Sequence, residues 1–398
     1  MAIALAASGV VLAANFAIPR ANESAQPRLS AAAPSSSSAQ LRWRAPQRAR
    51  TATISRDGRQ LDVVSARAGR WTDHLLWPGT HYRYQVRFAD RRAHFAGRAS
   101  AKVQTPQRTG PPPRLFAPSD WLNTPVTAGA ALDTASGGIA THAITAYATG
   151  ANLANSAAWG TPIAYADQAS KLYRVRCTAF FCDHPSPPQR IPRYADPAQS
   201  VDHHLVVLGP QPNTELDLWG AARTADGHWR AGTQWRTRTD RSAANCDRHQ
   251  RSCGGANVAG FALTAGLVRP EEIAAGRIDH ALVITSPRTR RGAVACPAAG
   301  TDGKTDGLTA IRVGAHIQLS PAVDVSQLNL PPWKAVIARA LQTYGAYVAD
   351  TGGSLAVRAE STALRGYDAW ARAGVPSDDP SLSDLPWAAV RVLHSAAC

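Results

Sequence analysis

The chain has 398 residues and 44% hydrophobic content, which suits a globular protein with a sizeable core and excludes a wholly disordered one. Its length exceeds that of a usual single domain, so two domains are expected. The formal net charge of +15 could suit an anionic partner. However, the basic residues are scattered, and only four of them are lysines. No nucleic-acid partner is therefore expected.

The first 24 residues carry a small, apolar run centred on Val10, Val11 and Leu12. This run is too short to span a bilayer comfortably, and it predicts a signal peptide or an N-terminal anchor over residues 1–24. No Lys or Arg precedes the run, which is unusual for a signal peptide. Because no later stretch reaches membrane-spanning length, we expect no membrane contact beyond this possible anchor.

Cysteine usage indicates an oxidising compartment. The six cysteines form two close pairs and two distant positions, which are Cys177-x4-Cys182, Cys246-x6-Cys253, Cys296 and Cys398. An even number with two close pairs favours disulfides, with Cys296–Cys398 as the third. Zinc is the alternative because His184 and His249 lie nearby, but the spacings do not match a zinc knuckle.

Short strands with turn signals follow between Leu41 and Gln107. The stretch Leu76-Trp77-Pro78-Gly79-Thr80-His81-Tyr82-Arg83-Tyr84-Gln85-Val86 alternates apolar and polar residues, as a half-buried antiparallel strand does. Together with Trp43 and Arg56-Asp57-Gly58, it resembles a fibronectin type III domain over residues 25–107. The resemblance implies an immunoglobulin-like sandwich in which Trp43 is buried, Asp57-Gly58 forms a hairpin and the Tyr82 hydroxyl bonds upstream backbone. It implies a spacer or docking module without catalytic residues.

A Pro-rich linker at 108–114 separates this domain from a second one at 115–398. Its patterns predict strands at Leu172–Arg176, His204–Leu208, Thr214–Trp219, Ala281–Thr285, His316–Leu319 and Ala346–Asp350. Two helices are predicted, one from Pro270 to Ala275 that Gly276 stops, and one after Pro331-Pro332 whose apolar stripe runs from Trp333 to Tyr347. We expect a mainly β protein, with a larger β-sandwich or jelly-roll-like domain carrying one or two packed helices.

The second domain also resembles a group of uncharacterised secreted bacterial proteins. The stretches that carry this resemblance include Asp202-x-His204-Leu205-Val206-Val207, Gly276-Arg277-Ile278-Asp279-His280-Ala281, Thr301-Asp302-Gly303 and Tyr344-Gly345-x-Tyr347-x-x-Asp350. The resemblance implies a secreted or surface-tethered protein. It implies no particular reaction.

Two predicted strands open with an Asp-His pair, namely Asp202-His203 with the adjacent His204, and Asp279-His280. A carboxylate next to an imidazole can orient it, change its pKa or join it in binding a metal. Alternation places Asp202 and His204 on one face, and His203 on the other, to which His280 corresponds by register. The alternative is that these residues only hold strand ends and loops by hydrogen bonds.

Three chemistries compete at this site. In β-elimination on an acidic polysaccharide, His204, His280 or Tyr344 would be the base, and Arg277 and Arg312 would neutralise the carboxylate. In hydrolysis, two carboxylates flank the bond. The Glu215-x-Asp217 spacing suggests such a pair, although strand carboxylates usually face solvent. The third chemistry is a metal held by His203, His204, His280 and the aspartates. No spacing supports a particular metal ion, so neither a metal nor a cofactor is expected.

Aromatic residues supply a candidate sugar-binding surface. Trp219, Trp229 and Trp235 lie in one short, arginine-containing segment, and indole faces pack on sugar rings, although a hydrophobic core would have the same composition. The acidic loop at 301–307 is interpreted as a turn rather than a calcium site. The sequence therefore predicts a polysaccharide-active lyase or hydrolase with an Asp/His site, or alternatively a non-catalytic carbohydrate-binding or cell-wall attachment protein.

Overall fold

The computed structural model describes residues 26–180, 182, 187–211, 213–244 and 254–395, together with the backbone of 246–247 and 252–253. The predicted signal peptide or anchor lies outside these residues, as does Cys398. Within the described residues the fold is mainly β, which confirms the predicted class. Four short α-helices accompany the strands there: α1 Ser136–Ile139, α2 Pro270–Ala274, α3 Pro332–Thr343 and α4 Ala369–Arg372.

The first part of the chain is a sandwich of two antiparallel sheets. One sheet has the order β1-β2-β5 and the other β4-β3-β6-β7. The strands are β1 Arg28–Ser35, β2 Ser38–Arg44, β3 Thr51–Arg56, β4 Arg59–Ser65, β5 Arg70–Asp73, β6 His81–Ala89 and β7 Phe95–Gln104. The inward residues of both sheets, among them Trp43, Ile54 and Tyr84, form one core.

Three features expected from the fibronectin resemblance are present in this sandwich. The Tyr82 hydroxyl accepts a hydrogen bond from the backbone N–H of Trp77 at 2.7 Å. Asp57 and Gly58 both have positive φ, 48° and 87°, as the two-residue turn between β3 and β4 requires. Trp43 is buried and donates its indole N–H to the Ala66 carbonyl.

Two mixed sheets form most of the remaining chain. The five-stranded sheet has the order β17-β14-β13-β9-β26, and the six-stranded sheet has the order β27-β23-β24-β20-β25-β8. Their strands are β8 Asn152–Ala154, β9 Thr161–Tyr165, β13 Leu205–Leu208, β14 Thr214–Trp219, β17 Thr233–Arg238, β20 Leu282–Ser286, β23 His316–Leu319, β24 Ala346–Thr351, β25 Ala356–Arg358, β26 Glu360–Ser361 and β27 Val390–Val392. Parallel pairs such as β13 with β9 and β20 with β24 were not predicted.

Small sheets complete the strand set. Their strands are β10 Leu172–Tyr173, β11 Val175–Cys177, β12 Gln189–Arg190, β15 Ala222–Arg223, β16 Trp229–Ala231, β18 Cys246–Asp247, β19 Ser252–Cys253, β21 Thr289–Val294 and β22 Ile311–Val313. The prediction of one strand over Leu172–Arg176 was wrong, because β10 pairs with β12 whereas β11 pairs with β16.

Helix α3 packs its apolar stripe into the core of the six-stranded sheet, as predicted, through residues such as Trp333, Ile337 and Leu341. The helix is shorter than the stripe suggested, because Gly345 has a φ of +74° and Tyr347 lies in β24. A Cβ atom at Gly345 would lie 2.4 Å from the Ile317 carbonyl oxygen, so the tight turn from helix to strand requires glycine.

The two mixed sheets meet in two ways. Only Ala359 separates β25 of the six-stranded sheet from β26 of the five-stranded sheet. In addition, the segment 254–268 packs on both sheets: Leu263 clusters with Val206 of β13, and Phe261 clusters with Val283 of β20. The strand ends near this segment are therefore brought together.

The first sandwich is held firmly against the rest of the chain. Arg56, only 4% exposed, bonds Asp73 at 2.7 Å and the Leu75 carbonyl at 3.1 Å, and it also donates to the backbone carbonyl of Arg365. The Tyr367 hydroxyl donates to the same Leu75 carbonyl at 3.1 Å. These contacts fix the orientation of the sandwich.

Candidate functional site

A cavity of about 560 Å³ opens where the two mixed sheets meet. We call it the aspartate–tryptophan cleft. Its lining residues are Phe180, Asp202, Trp219, Thr233, Trp235, Gly254, Gly255, Ala256, Asn257, Val258, Asp302, Asp350 and Thr351. They come from the ends of β14 and β24, from β17 and from four loops. Concave sites built in this way from several elements are the usual places for ligands.

Aromatic rings form one wall of the aspartate–tryptophan cleft. Trp219 and Trp235 are half-buried, and the rings of Trp219 and Phe180 lie 5.5 Å apart at an angle of 50°. Glycines make room for the indoles, since a Cβ atom at Gly232 would lie 2.5 Å from the Trp219 ring and one at Gly254 would lie 2.1 Å from the Trp235 ring. The wall therefore presents apolar ring surface to the cavity.

The predicted Cys177–Cys182 disulfide is present and closes the loop that carries Phe180. The Phe180 backbone N–H donates to the Gly232 carbonyl at 3.0 Å, yet its side chain is 67% exposed. Cys296 is also disulfide-bonded. The proposed partner Cys398 and the side chains of Cys246 and Cys253 lie outside the described residues, although β18 and β19 place those two cysteines opposite each other.

Three carboxyl groups face these rings. Asp202 Oδ1 accepts the indole N–H of Trp219 at 3.0 Å. Asp302 Oδ1 accepts a hydrogen bond from the Thr351 hydroxyl, and Asp350 Oδ1 accepts one from the Thr351 backbone N–H at 3.0 Å. Each carboxylate is thus positioned through one oxygen. The other oxygen of each has no hydrogen-bond partner within the part of the chain that the structure describes.

Asp350 has an unusual protonation equilibrium. Burial raises its pKa to about 7, the negative charges of Asp302 and Asp202 act in the same direction, and Arg358 opposes them. A carboxyl group with a pKa near 7 is partly protonated at neutral pH, so it can donate a proton. Perturbed carboxyls in clefts are common at functional sites.

The first Asp-His pair lies in a turn ahead of β13 and not within it, so strand alternation does not apply. His203 has a φ of 42°, and its ring bonds the Ala198 carbonyl at 3.0 Å. His204 Nε2 lies 3.3 Å from the Ala256 carbonyl oxygen. Burial and the positive charge of Arg358 lower the pKa of His204 to about 4. Only Asp202 of this pair lines the aspartate–tryptophan cleft.

The second pair lies elsewhere. His280 is 6% exposed, and its ring nitrogens contact the Ala281 carbonyl at 2.8 Å and Glu272 Oε1 at 3.1 Å. Both partners are acceptors, so neither ring nitrogen offers a lone pair to a substrate. Burial alone would favour the neutral acid, but Arg269 and His280 lower the pKa of Glu272 to about 2.

Asp279, Arg277 and Tyr344 line a separate, open cavity of about 850 Å³ together with Arg108, Arg114 and the Pro-rich segment. We call it the arginine cleft. Arg277 already pairs with Asp279 at 3.1 Å. Burial and the charge of Asp279 raise the pKa of Tyr344. The structure thus divides the predicted site residues between different places.

Three further predictions concern residues that the structure places outside both clefts. Trp229 is only 1% exposed and belongs to the core, so it cannot stack on a sugar. Arg312 pairs with Asp133 at 3.3 Å and lines neither cleft. Glu215 and Asp217 do not face solvent, being 1% and 0% exposed. Burial raises the pKa of both.

Asp302 and Asp350 are the acidic residues of the cleft that the sequence did not assign to a site. Asp302 lies in the loop interpreted as a turn, and Asp350 is the last acidic residue of a predicted strand. The only signal was that both fall in the stretches resembling the secreted bacterial group. Over the described ranges, no group of three or more His, Cys, Asp or Glu could hold a metal ion. Nor does any helix there have the length and apolarity to cross a membrane.

No protein-family model matches the chain, and no curated protein matches it. Among solved structures, it is similar to an Fn3-like protein from Clostridium thermocellum, with 24% identity, coverage of 22% of this chain and 98% of that one, and a TM-score of 0.19. It is similar to a family 28 exopolygalacturonase from Yersinia enterocolitica, with 15% identity over 23% of this chain and 21% of that one, also at a TM-score of 0.19. A beta-1,2-glucanase from Parabacteroides distasonis has 23% identity over 21% of this chain and 13% of its own, at 0.19. These similarities cover small parts of this chain.

Proposed function

We propose that this protein binds a polysaccharide in the aspartate–tryptophan cleft and hydrolyses a glycosidic bond there. The observation that carries the proposal is the combination, in one cavity, of the Trp219 and Trp235 rings with Asp202 and Asp350. Indole faces pack on the C–H surfaces of sugar rings, and paired carboxyl groups are the usual machinery of glycoside hydrolysis.

Asp350 is the proposed general acid. With a pKa of about 7 it holds a proton over a useful range and can donate it to the glycosidic oxygen as the C–O bond breaks. Asp202, fixed by the Trp219 indole, is the second carboxylate. It stabilises positive charge at the anomeric carbon and directs the incoming nucleophile. This assignment replaces the predicted histidines with a pair of aspartates.

Elimination has weaker support. Its base and its neutralising arginine would have to share a cavity, and of the residues predicted for these two roles, Tyr344 and Arg277 do so in the arginine cleft. The raised pKa of Tyr344 lowers the fraction of phenolate available as a base at neutral pH, and the Arg277 guanidinium is already paired with Asp279. His280 has no free ring nitrogen. The aspartate–tryptophan cleft has no Arg, Lys, His or Tyr among its described lining residues.

The test is incubation with a panel of neutral, acidic and amino polysaccharides, with detection of reducing ends and of unsaturated products. New reducing ends alone are expected. Asp350→Asn and Asp202→Asn should lower the rate at least 100-fold, whereas Asp306→Asn, an exposed aspartate outside the cleft, should not. Unsaturated ends would indicate elimination instead. Binding without any product would leave only a carbohydrate-binding or attachment protein.

The domain limits and location belong to the same proposal. We assign residues 25–107 to the fibronectin-type module, 108–114 to the linker and 115–398 to the polysaccharide-active domain. The Cys177–Cys182 disulfide supports export to an oxidising compartment, in line with the predicted signal peptide. Secretion is tested by fractionation of cells that express the full chain, where export should depend on residues 1–24.

A further inference from the structure

Among the described residues, those that line the aspartate–tryptophan cleft carry charge of the opposite sign to the net charge of the chain. The chain carries a formal net charge of +15, yet the ionisable groups that line this cavity in the described part of the chain are all carboxyls, namely Asp202, Asp302 and Asp350. An acidic polysaccharide would be repelled by these groups. The overall basicity is therefore a poor guide to the ligand of this cleft.

Arg358 compensates only part of this negative charge. It interacts electrostatically with Asp350, Asp202 and Asp217, and burial lowers its own pKa. Asp302 is not among its partners, and no salt bridge joins Asp302 to a cation in the described residues. The Arg358 guanidinium thus offsets part of the negative charge of Asp202 and Asp350. Asp302 also lines the cavity, but no described cation offsets its charge.

No other polar side chain among the described lining residues supplies a positive charge next to Asp302. The Asn257 amide is used by the Phe261 backbone, donating to its carbonyl at 2.9 Å and accepting its N–H at 3.0 Å. The Thr351 hydroxyl donates to Asp302 Oδ1. The second oxygen of Asp302 accepts from no described donor. A ligand with a charged N–H group could donate a charge-assisted hydrogen bond to this second oxygen of Asp302.

We propose that the cleft selects polysaccharides built from amino sugars with free, protonated amines, and that Asp302 binds the ammonium group. This inference rests on the proposed function, because it assumes that the cleft holds a sugar chain against Trp219 and Trp235. Asp302 is a specificity residue here, distinct from the acid Asp350 and the second carboxylate Asp202. An N-acetylated unit lacks the charge and places an acetyl group against a carboxylate.

Titration calorimetry at pH 6 tests the inference with three hexasaccharides: glucosamine, N-acetylglucosamine and β-1,4-linked glucose. The glucosamine hexamer should bind at least 10-fold more tightly than either of the others, and this ratio should fall as salt is raised, because it is electrostatic. In Asp302→Asn, which keeps the acceptor for Thr351, the ratio should fall to near 1. Asp302→Glu should retain a preference.

Asp306→Asn is the matched control, since Asp306 lies in the same loop but pairs with Arg291 and is not among the cleft residues. It should keep the full preference. Equal binding of the three hexasaccharides to the native protein, or a preference that persists in Asp302→Asn, would overturn the inference while leaving glycan binding intact. If no glycan of the panel binds or is cleaved, the proposed function itself fails. The salt series on the native protein keeps the test decisive even if a variant does not fold.

Discussion

Replacing Arg365 by methionine tests whether the buried ion network next to the first sandwich is important for stability. Arg365 is 6% exposed, and its guanidinium bonds Glu360 twice at 2.8 Å and Glu271 through both of its oxygens. Glu271 and Glu360 are themselves 6% and 3% exposed. Methionine would fill a similar volume but would leave two buried carboxyls without their cation.

The expected loss is about 3–5 kcal/mol in the free energy of unfolding, the usual cost of removing one partner of a buried ion pair. The loss should depend on pH. Burial raises the pKa of a carboxyl and Arg365 opposes this at both glutamates, so in the variant both would bind protons at higher pH. Protonation relieves the unpaired charge, and the loss should therefore be larger at pH 8 than at pH 5.5.

Guanidinium unfolding curves at the two pH values measure this loss. Arg291→Met is the control because its pair with Asp306 is 60% and 80% exposed, and it should cost at most about 1 kcal/mol. A loss for Arg365→Met below about 1 kcal/mol, or one that is equal at both pH values, would refute the view that the glutamates depend on this guanidinium.

Three other outcomes can be checked in the same way. Tyr82→Phe removes the acceptor of the Trp77 N–H and should cost about 1–3 kcal/mol in urea unfolding; an unchanged midpoint would contradict this. Burial lowers the pKa of His316 to about 4, so stability should fall as pH drops from about 6.5 to 4, and His316→Phe should flatten that dependence in thermal melts. Asp302→Asn removes a negative charge that raises the pKa of Asp350, so the pKa of Asp350 should fall. The alkaline limb of the pH profile of hydrolysis should then move to lower pH. An alkaline limb that does not move would argue against Asp350 as the acid.

The first sandwich was predictable because its signals are local. The Asp57-Gly58 turn and the alternation through Tyr82 and Tyr84 each depend on neighbours in sequence or on a fixed strand period, whereas the burial of Trp43 was implied by the fibronectin resemblance. Helix α3 was predictable for the same reason, through its apolar stripe and Pro332 at its start. Its end was not, because the close approach of Gly345 to Ile317 is a tertiary contact.

The candidate site was less accessible, since its members are distant in sequence. Asp202, Asp302 and Asp350 meet only because two sheets converge, and no spacing along the chain encodes that convergence. The two Asp-His pairs looked equivalent in sequence. They differ because His280 of the second pair is buried against Glu272 on α2, whereas Asp202 of the first pair lines an open cavity. Trp229 and Trp235 likewise share a segment, but only the structure shows that Trp229 lies in the core and that Trp235 is half-buried at the cleft.

The contact of Arg56 with the Arg365 carbonyl has a practical consequence for work with fragments. If the chain were cleaved between residues 108 and 114, the piece carrying Arg56 would have to expose a guanidinium that is now almost fully buried, and the other piece would lose the Leu75 carbonyl that now accepts the Tyr367 hydroxyl. Because the two surfaces complement each other, the separated pieces should reassociate when mixed. The first sandwich would then behave as a subunit, and truncation to the second part of the chain would remove contacts that support that part.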